Sequence, residues 1–373
     1  MVPTHRAAWP SAKQTRIQVK DAPYTPPSKN EIVVKSGAVA IEPVDAVIKA
    51  MGLMAFGWIK YPFVIGNSLA GEVVQVGPGV TRFKPGDRII GHTVGINKKS
   101  NRACEGAFQE YVVLHENLVA PIPNSLSYDR ACVLPLTLST ASSGLFMKDF
   151  LALNLPTPKT AKNSVGQTLV VWGGSTSLGG NAIQLAVAAG YQVITTAGPK
   201  IFEYVKKLGA SDVFDYHNPT AAQDIIALLK GKKCAGALAI RDGSMGPCID
   251  IVAASSGRKF VAQASLPQPE QKPPKGFALV SFIVGFLWFQ VSTSVKCRTK
   301  GVASKFIWGS DLMANEVGSA IYEQFLPETL GSGKYIAGPE PSVVGIGLEK
   351  IQDGLDAALS GGSAGKPVVL VSC

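Results

Sequence analysis

Charge is scarce in this 373-residue chain. Asp, Glu, Lys and Arg make up 17% of it, and no run of five like charges occurs. That excludes a polyelectrolyte tail or a basic arm. The formal net charge of +10, from 36 basic and 26 acidic residues, is therefore scattered rather than gathered for nucleic acid. Cysteine is sparse as well. Cys104, Cys132, Cys234, Cys248, Cys297 and Cys373 include no C-x-x-C pair, which argues against a disulfide framework and a structural zinc. A reducing, cytoplasmic setting is expected. His5, His92, His115 and His217 show no paired metal-ligand spacing. The opening "MVPTHRAAWPSAKQTRIQV" has no apolar stretch of signal-peptide length, so no secretory address is expected.

Apolar residues are abundant, at 46%, and the length suits two domains with sizeable cores. One long uncharged run is present: "GFALVSFIVGFLWFQVSTSV", Gly276 to Val295, between Lys275 and Lys296. About twenty apolar residues could cross a bilayer. Gly285, Gln290 and Ser292-Thr293-Ser294 weaken that reading, and no membrane attachment is expected. A buried strand or pocket wall is the leading expectation. An insertion foreign to the fold is the other, since Val280-Ser281 is what a common 5′ splice signal would encode in a retained intron.

The first 125 residues carry short apolar runs broken by turns, such as "EIVVKSGAVAI", "AGEVVQVG", "DRIIGHTVG" and "GAFQEYVVL". These read as strands of a compact β domain. From Ser127 the periodicity becomes helical, and then strands alternate with helices: "QTLVVWG", "SLGGNAIQLAVAAG", "YQVITTA". Such alternation implies a parallel, doubly wound α/β sheet. The tail, "LEKIQDGLDAALSGGSAGKPVVLVSC", is a helix, a Gly-rich turn and a last strand. The expected domains are 1–127 with 312–373, and 128–311.

Between "QTLVVW" and the next helix stands Gly173-Gly174-Ser175-Thr176-Ser177-Leu178-Gly179-Gly180. It resembles the dinucleotide fingerprint with a threonine at the middle glycine. A helix start there presents N–H groups to an anion, and the hydroxyls add donors. Gly174, Ser175, Thr176, Ser177 and Leu178 are therefore candidate cofactor contacts. An NAD site places an acid at the end of the second strand. Here that strand ends Thr196-Ala197-Gly198-Pro199-Lys200, without one. Thr196, Gly198 and Lys200 thus favour the 2′-phosphate of NADP over NAD.

A β domain, a Rossmann domain with a Ser/Thr-rich turn and a return to the first domain resemble the medium-chain dehydrogenase/reductase superfamily, over nearly the whole chain. "YPFVIGNSLAGEVVQVGPGVTRFKPGDRI" is similar to its zinc-free quinone and enoyl reductase branch, and "TTAGPKIFEYVKKLGASDVFDY" to fungal trans-acting enoyl reductases. The resemblance implies a GroES-like β-barrel beside the Rossmann sheet. It also implies NADPH-dependent reduction of an activated C=C bond in an enoyl, enone or quinone substrate. The alternative is a non-catalytic member that binds NADPH and acts as a binding protein.

Zinc members of the superfamily carry Cys near the position of Ile41 and Glu42, and His-Glu where this chain has Asn67-Ser68. No metal is therefore expected. By resemblance, Glu42, Pro43 and Asp45 lie near the nicotinamide ribose, Tyr216 near the adenosine, and Ala264, Gly365 and Lys366 along the cofactor. Thr140 matches a threonine near nicotinamide and substrate. Lys49 is the other catalytic candidate, two positions beyond the place where relatives carry Tyr or Lys. The substrate wall is expected from Met51 to Trp58, Thr137 to Leu145, and Phe277 to Phe289. The partner classes implied are an apolar or carrier-bound acyl substrate and a polyketide synthase, with the protein a monomer or homodimer.

Overall fold

The computed structural model describes residues 4–12, 15–51, 56–159, 164–267, 276–360 and 365–371, without the side chains of 49–51 and 360. Its contacts divide the chain into two compact units, Met1–Ser139 with Ser310–Cys373, and Thr140–Gly309. The change of pattern noted at Ser127 lies within the first unit. The short helix that begins there, Tyr128–Ala131, packs on that unit's own strands.

In the first unit the strands are β1 (Thr4–Pro10), β2 (Ile17–Pro23), β3 (Glu31–Ala40), β4 (Ser68–Val76), β5 (Arg88–His92), β6 (Tyr111–His115) and β7 (Val119–Pro121). Helix α1 (Pro43–Met51) follows β3, with Pro43 at its first position, where a missing N–H costs nothing. In the second unit the strands are β8 (Gln167–Trp172), β9 (Gln192–Ala197), β10 (Asp212–Asp215), β11 (Lys233–Ala239), β12 (Ser256–Gly257), β13 (Phe260–Gln263) and β14 (Ala303–Phe306). Its helices used below are α2 (Ser177–Ala188), α3 (Met245–Ala254) and α4 (Phe277–Thr299). The chain then returns to the first unit with β15 (Pro341–Ile346), α5 (Ile351–Ser360) and β16 (Lys366–Leu370).

The first unit's main sheet runs β15-β16-β3-β4-β5-β7, with β6 also on β3. All its pairings are antiparallel except β15 with β16. The return of the chain is thus part of the sheet: β16 pairs directly with β3, Val369 opposite Val39. The second unit's sheet runs β10-β9-β8-β11-β13-β14 and is parallel throughout. This is the doubly wound order, whose reversal lies beside β8. Leu169, Val170, Val171, Val193 and Ile194 are fully buried, as strands of a parallel sheet require.

Gly276–Val295 departs from its leading expectation. It is not a buried strand but most of helix α4, and of its residues Gln290, Thr293 and Ser294 line a cavity beside β13 and β14. Phe277, Val280, Val284, Leu287, Trp288, Val291 and Val295 are more than half exposed. Only the line Leu279, Phe282, Phe286, Phe289 and Thr293 is half-buried, and Phe289 joins the core beneath α3. Twenty-three residues without proline or internal charge until Lys296 make a continuous helix, longer than any β-strand of this sheet. The segment is apolar on all sides, so one side stays uncovered whichever way it packs. Of the other wall residues, Met51, Leu53 and Met54 fall outside the described side chains, while Phe56 is buried in the first unit's core.

Two variants separate the helix from the core. Leu287→Ser with Trp288→Ser, at 57% and 71% exposure, should change the unfolding free energy by about 1 kcal/mol or less. Ile194→Ala, at 0% exposure, should cost about 2–5 kcal/mol. Denaturant unfolding of both variants checks the contrast.

Candidate functional site

In the second unit, β8 ends at Trp172 and the chain turns through Gly173 at φ +104°. Only glycine takes that backbone freely. The turn is tied to β9: Gly173 N–H donates to Thr196 Oγ1 (3.0 Å) and Gly174 N–H to the Thr196 carbonyl (2.9 Å). Thr176 is the N-cap of α2. Its Oγ1 accepts from Gly179 N–H (2.9 Å) and donates to the Gly173 carbonyl (2.8 Å). A Cβ on Gly179 would lie 2.2 Å from the Gly173 carbonyl oxygen, so helix and turn touch backbone to backbone. Thr176 and Thr196, both candidate cofactor contacts, hold the turn together through these bonds. What remains for an anion are the first helical N–H groups, of Ser177 and Leu178, which have no intrahelical acceptor. Ser175, Ser177 and Leu178 are half-buried beside them.

β9 ends at Ala197. A Cβ on Gly198 would meet nothing within 4 Å, so the chain leaves the sheet beside open space. Lys200 follows in a single exposed turn, Pro199–Ile201. Tyr216 is 48% exposed and lies on the His217 ring, centroids 4.0 Å apart, while His217 Nδ1 sits 2.7 Å from Asp215 Oδ1. Ala264 continues β13, its N–H bonded to the Ala239 carbonyl at 2.9 Å. Thr140 packs against Gly309, where a Cβ would come within 2.4 Å of its Oγ1.

The first unit brings together residues far apart in sequence. Glu42 precedes α1 and is fully buried. Its Oε1 accepts from Lys366 Nζ (2.6 Å) and Ser68 Oγ (2.7 Å). Asp45, in the first turn of α1, accepts from the Glu42 N–H (2.8 Å) and Asn67 Nδ2 (2.6 Å). Ser68 Oγ also accepts from the Leu136 N–H (3.0 Å), and Lys366 donates to the Val133 carbonyl (2.9 Å). His92 stands opposite Ser68 in the β4–β5 ladder, 1% exposed, with neither ring nitrogen hydrogen-bonded among the described residues. Burial pushes its pKa down to about 3, which keeps it neutral. Asp45 moves the other way, to about 8. Burial raises it most and the Glu42 charge adds, against the hydrogen bonds from Glu42 N–H and Asn67 and the Lys366 charge. At neutral pH Asp45 therefore holds its proton.

Sequence reasoning placed Glu42, Asp45 and Lys366 on a cofactor. In the structure the polar groups of these three face one another inside the first unit, and Pro43, the other residue expected there, is exposed. Asn67, Ser68 and His92 were treated only as failed zinc ligands. In the structure Asn67 donates to Asp45 and Ser68 to Glu42, while His92 beside them makes no hydrogen bond among the described residues. The Lys49 side chain, Ser363 and Ala364 lie outside the described residues, and Gly365 approaches the Glu340 carbonyl, 2.5 Å from where its Cβ would be. Elsewhere, Glu31, Glu105 and His115 bring ligand atoms within 4.8 Å of one another. Arg102 Nη1 already sits 2.5 Å from Glu31 and 2.8 Å from Glu105, so a guanidinium balances those acids.

Two outcomes are expected. Gly179→Ala should open the turn and weaken nucleotide binding at least about tenfold, because its Cβ meets backbone rather than a movable side chain. Asp45 is protonated in the fold at pH values where the unfolded group is ionised. Its contribution is complete below about pH 4 and is lost as pH rises to about 8, with a slope of at most about 1.4 kcal/mol per pH unit. Asp45→Asn, which cannot ionise, should flatten the stability profile between pH 5 and 8 in denaturant unfolding, whatever its absolute cost.

Comparison with known proteins fits this geometry. Residues 28–124 match the alcohol dehydrogenase GroES-like domain family. The chain is 49% identical to the dehydrogenase pigH of Monascus ruber over 369 residues, covering 99% of this chain and 100% of that protein. It is 35% identical to the trans-enoyl reductase himH of Aspergillus japonicus over 372 residues, covering 99% and 98%. Among solved structures, the CurK enoyl reductase superposes with a TM-score of 0.71 at 18% identity, covering 99% of this chain and 100% of that one, which speaks to the fold. With its GroES-like domain, its parallel nucleotide-type sheet and its full-length kinship to fungal dehydrogenases and trans-enoyl reductases, the chain belongs to the medium-chain dehydrogenase/reductase superfamily.

Proposed function

We propose that this oxidoreductase is an NADPH-dependent, zinc-independent reductase of activated carbon–carbon double bonds, acting on enoyl, enone or quinone substrates. The observation that carries the cofactor reading is the end of β9. It offers open space at Gly198, no carboxylate of its own, and the exposed Lys200 one turn on, while Asp215 beside Ala197 on β10 is paired with His217. The residues present fit a dinucleotide. Ser177 and Leu178 N–H groups would hold the pyrophosphate, and Lys200 the 2′-phosphate. The bound cofactor supplies hydride to an electron-poor carbon.

A catalytic zinc does not fit the corresponding residues of the first unit. Asn67 and Ser68 are weak ligands, and the Glu42 carboxylate is engaged by an ammonium group. Without a Lewis acid, an isolated carbonyl or alcohol is a poor substrate, whereas a conjugated alkene needs only hydrogen-bond donors for its developing enolate. Trans-enoyl reductase himH, among the relatives, supports the enoyl choice and a role in fungal secondary metabolism. On this reading a polyketide synthase presents the acyl group and the protein works in the cytoplasm. The five described cysteines, all unpaired, suit that compartment.

Fluorescence titration of the purified protein with NADPH and NADH, followed by an enone, quinone and enoyl-thioester panel, tests the proposal. NADPH should bind more tightly than NADH and be oxidised only with an activated alkene or quinone. Lys200→Ala should weaken NADPH by about tenfold, near 1.4 kcal/mol, and leave NADH unchanged. Equal loss for both cofactors would remove Lys200 from the 2′-phosphate. NADPH binding without oxidation of the cofactor by any of the panel would favour the non-catalytic reading.

A further inference from the structure

Lys366 is 6% exposed, and its side chain and that of Glu42 are 5% and 1% exposed. A charge removed this far from water is stable only when paired and hydrogen-bonded. Nζ meets Glu42 Oε1 at 2.6 Å and the Val133 carbonyl at 2.9 Å. The same Oε1 accepts from Ser68, whose oxygen accepts from the Leu136 N–H. Glu42 Oε2 is buried with no hydrogen-bond partner among the described residues, so the ammonium carries the neutralisation of this carboxylate. Four segments meet at the pair: the start of α1, the start of β4, the stretch that holds residues 133 and 136, and the first residue of β16. Among the described residues the network holds one cation, one paired carboxylate and the second carboxyl of Asp45.

We propose that Lys366 is an internal cation. It neutralises Glu42, ties β16 to the start of α1 and to β4, and positions α1 rather than touching cofactor. Gly365-Lys366 is then a fixture of the first unit, and the cation of this buried site is one the chain supplies itself. The clause on cofactor rests on the function proposed above. The clause on the pair does not.

Three variants of the full chain test it: Lys366→Met, Glu42→Gln and the double variant. Each single substitution should lower the thermal unfolding midpoint by about 10 °C, because it strands a buried charge or its partner. The double variant should recover at least half of the loss. Titration supplies a readout that loss of packing would not move. The groups that face Asp45 are Glu42, Asn67 and Lys366. The pH midpoint of the stability profile should therefore shift upward in Lys366→Met and downward in Glu42→Gln. NADPH affinity should follow the thermal midpoint, weak in Lys366→Met and regained in the double variant.

A Lys366→Met protein that unfolds like wild type would overturn the proposal. So would a double variant that loses the sum of the single losses or fails to fold, or pH shifts of the same sign in both single variants. A double variant with restored stability but NADPH binding as weak as in Lys366→Met, with NADH unaffected, would return Lys366 to the cofactor. If no variant and no wild type binds NADPH, the function proposal fails, while the unfolding and pH data still decide the ion pair.

Discussion

The first unit is organised around a carboxylate that has left water with its counter-ion. Glu42 and Lys366 come from opposite ends of the sequence and meet at 2.6 Å inside the fold. Bringing both out of water is costly, and their attraction offsets that cost only in good geometry with the remaining polar atoms satisfied. The bond from Ser68 to Glu42 and that from Lys366 to the Val133 carbonyl meet part of that requirement, while Glu42 Oε2 has no hydrogen-bond partner among the described residues. The C-terminal strand is therefore held both by its ladder with β3 and by a buried charge at its first residue. Asp45 fits the same logic. Burial first, and the neighbouring Glu42 charge with it, outweigh the pull of Lys366 and of the hydrogen bonds to Asp45, so the second carboxyl in the site keeps its proton.

The second unit solves a different electrostatic problem. Its glycine turn is held by two threonine hydroxyls, Thr176 capping α2 and Thr196 of β9 receiving the Gly173 N–H. This fixes the backbone tightly enough for helix and turn to touch, and it leaves the first two N–H groups of α2 for an anion. Such donors are already oriented when charge arrives, so little reorganisation is needed on binding.

Much of the architecture was legible because it rests on local periodicity. The alternation from Gln167 to Gln263 predicted a parallel sheet, and β8, β9, β10, β11 and β13 fall where the apolar runs stand. The glycine turn was legible because close backbone approach admits few residue types. The polar cluster was not. Nothing near Lys366 in sequence announces Glu42 as its partner, and a pairing across more than three hundred residues is decided by topology alone. The role of Thr176 was missed for a related reason. A hydroxyl in a turn reads equally as a ligand donor or as a cap, and only the backbone geometry chooses.

Helix α4 marks the limit of reading hydrophobicity as burial. A long apolar run predicts removal from water, yet here the sheet has no room for a 23-residue strand and the neighbouring helix α3 covers one side only. Phe289 is held, while Trp288 beside it is 71% exposed. A large uncovered apolar surface of this kind is unusual in a monomeric globular protein. The inner side of α4 belongs to the second unit's core through Phe289 and Cys297, whereas the outer side touches none of the buried valines of the sheet. The fold and the glycine turn therefore depend on β8, β9 and α2, and a change confined to the outer side of α4 acts on association and solubility before it acts on the nucleotide site.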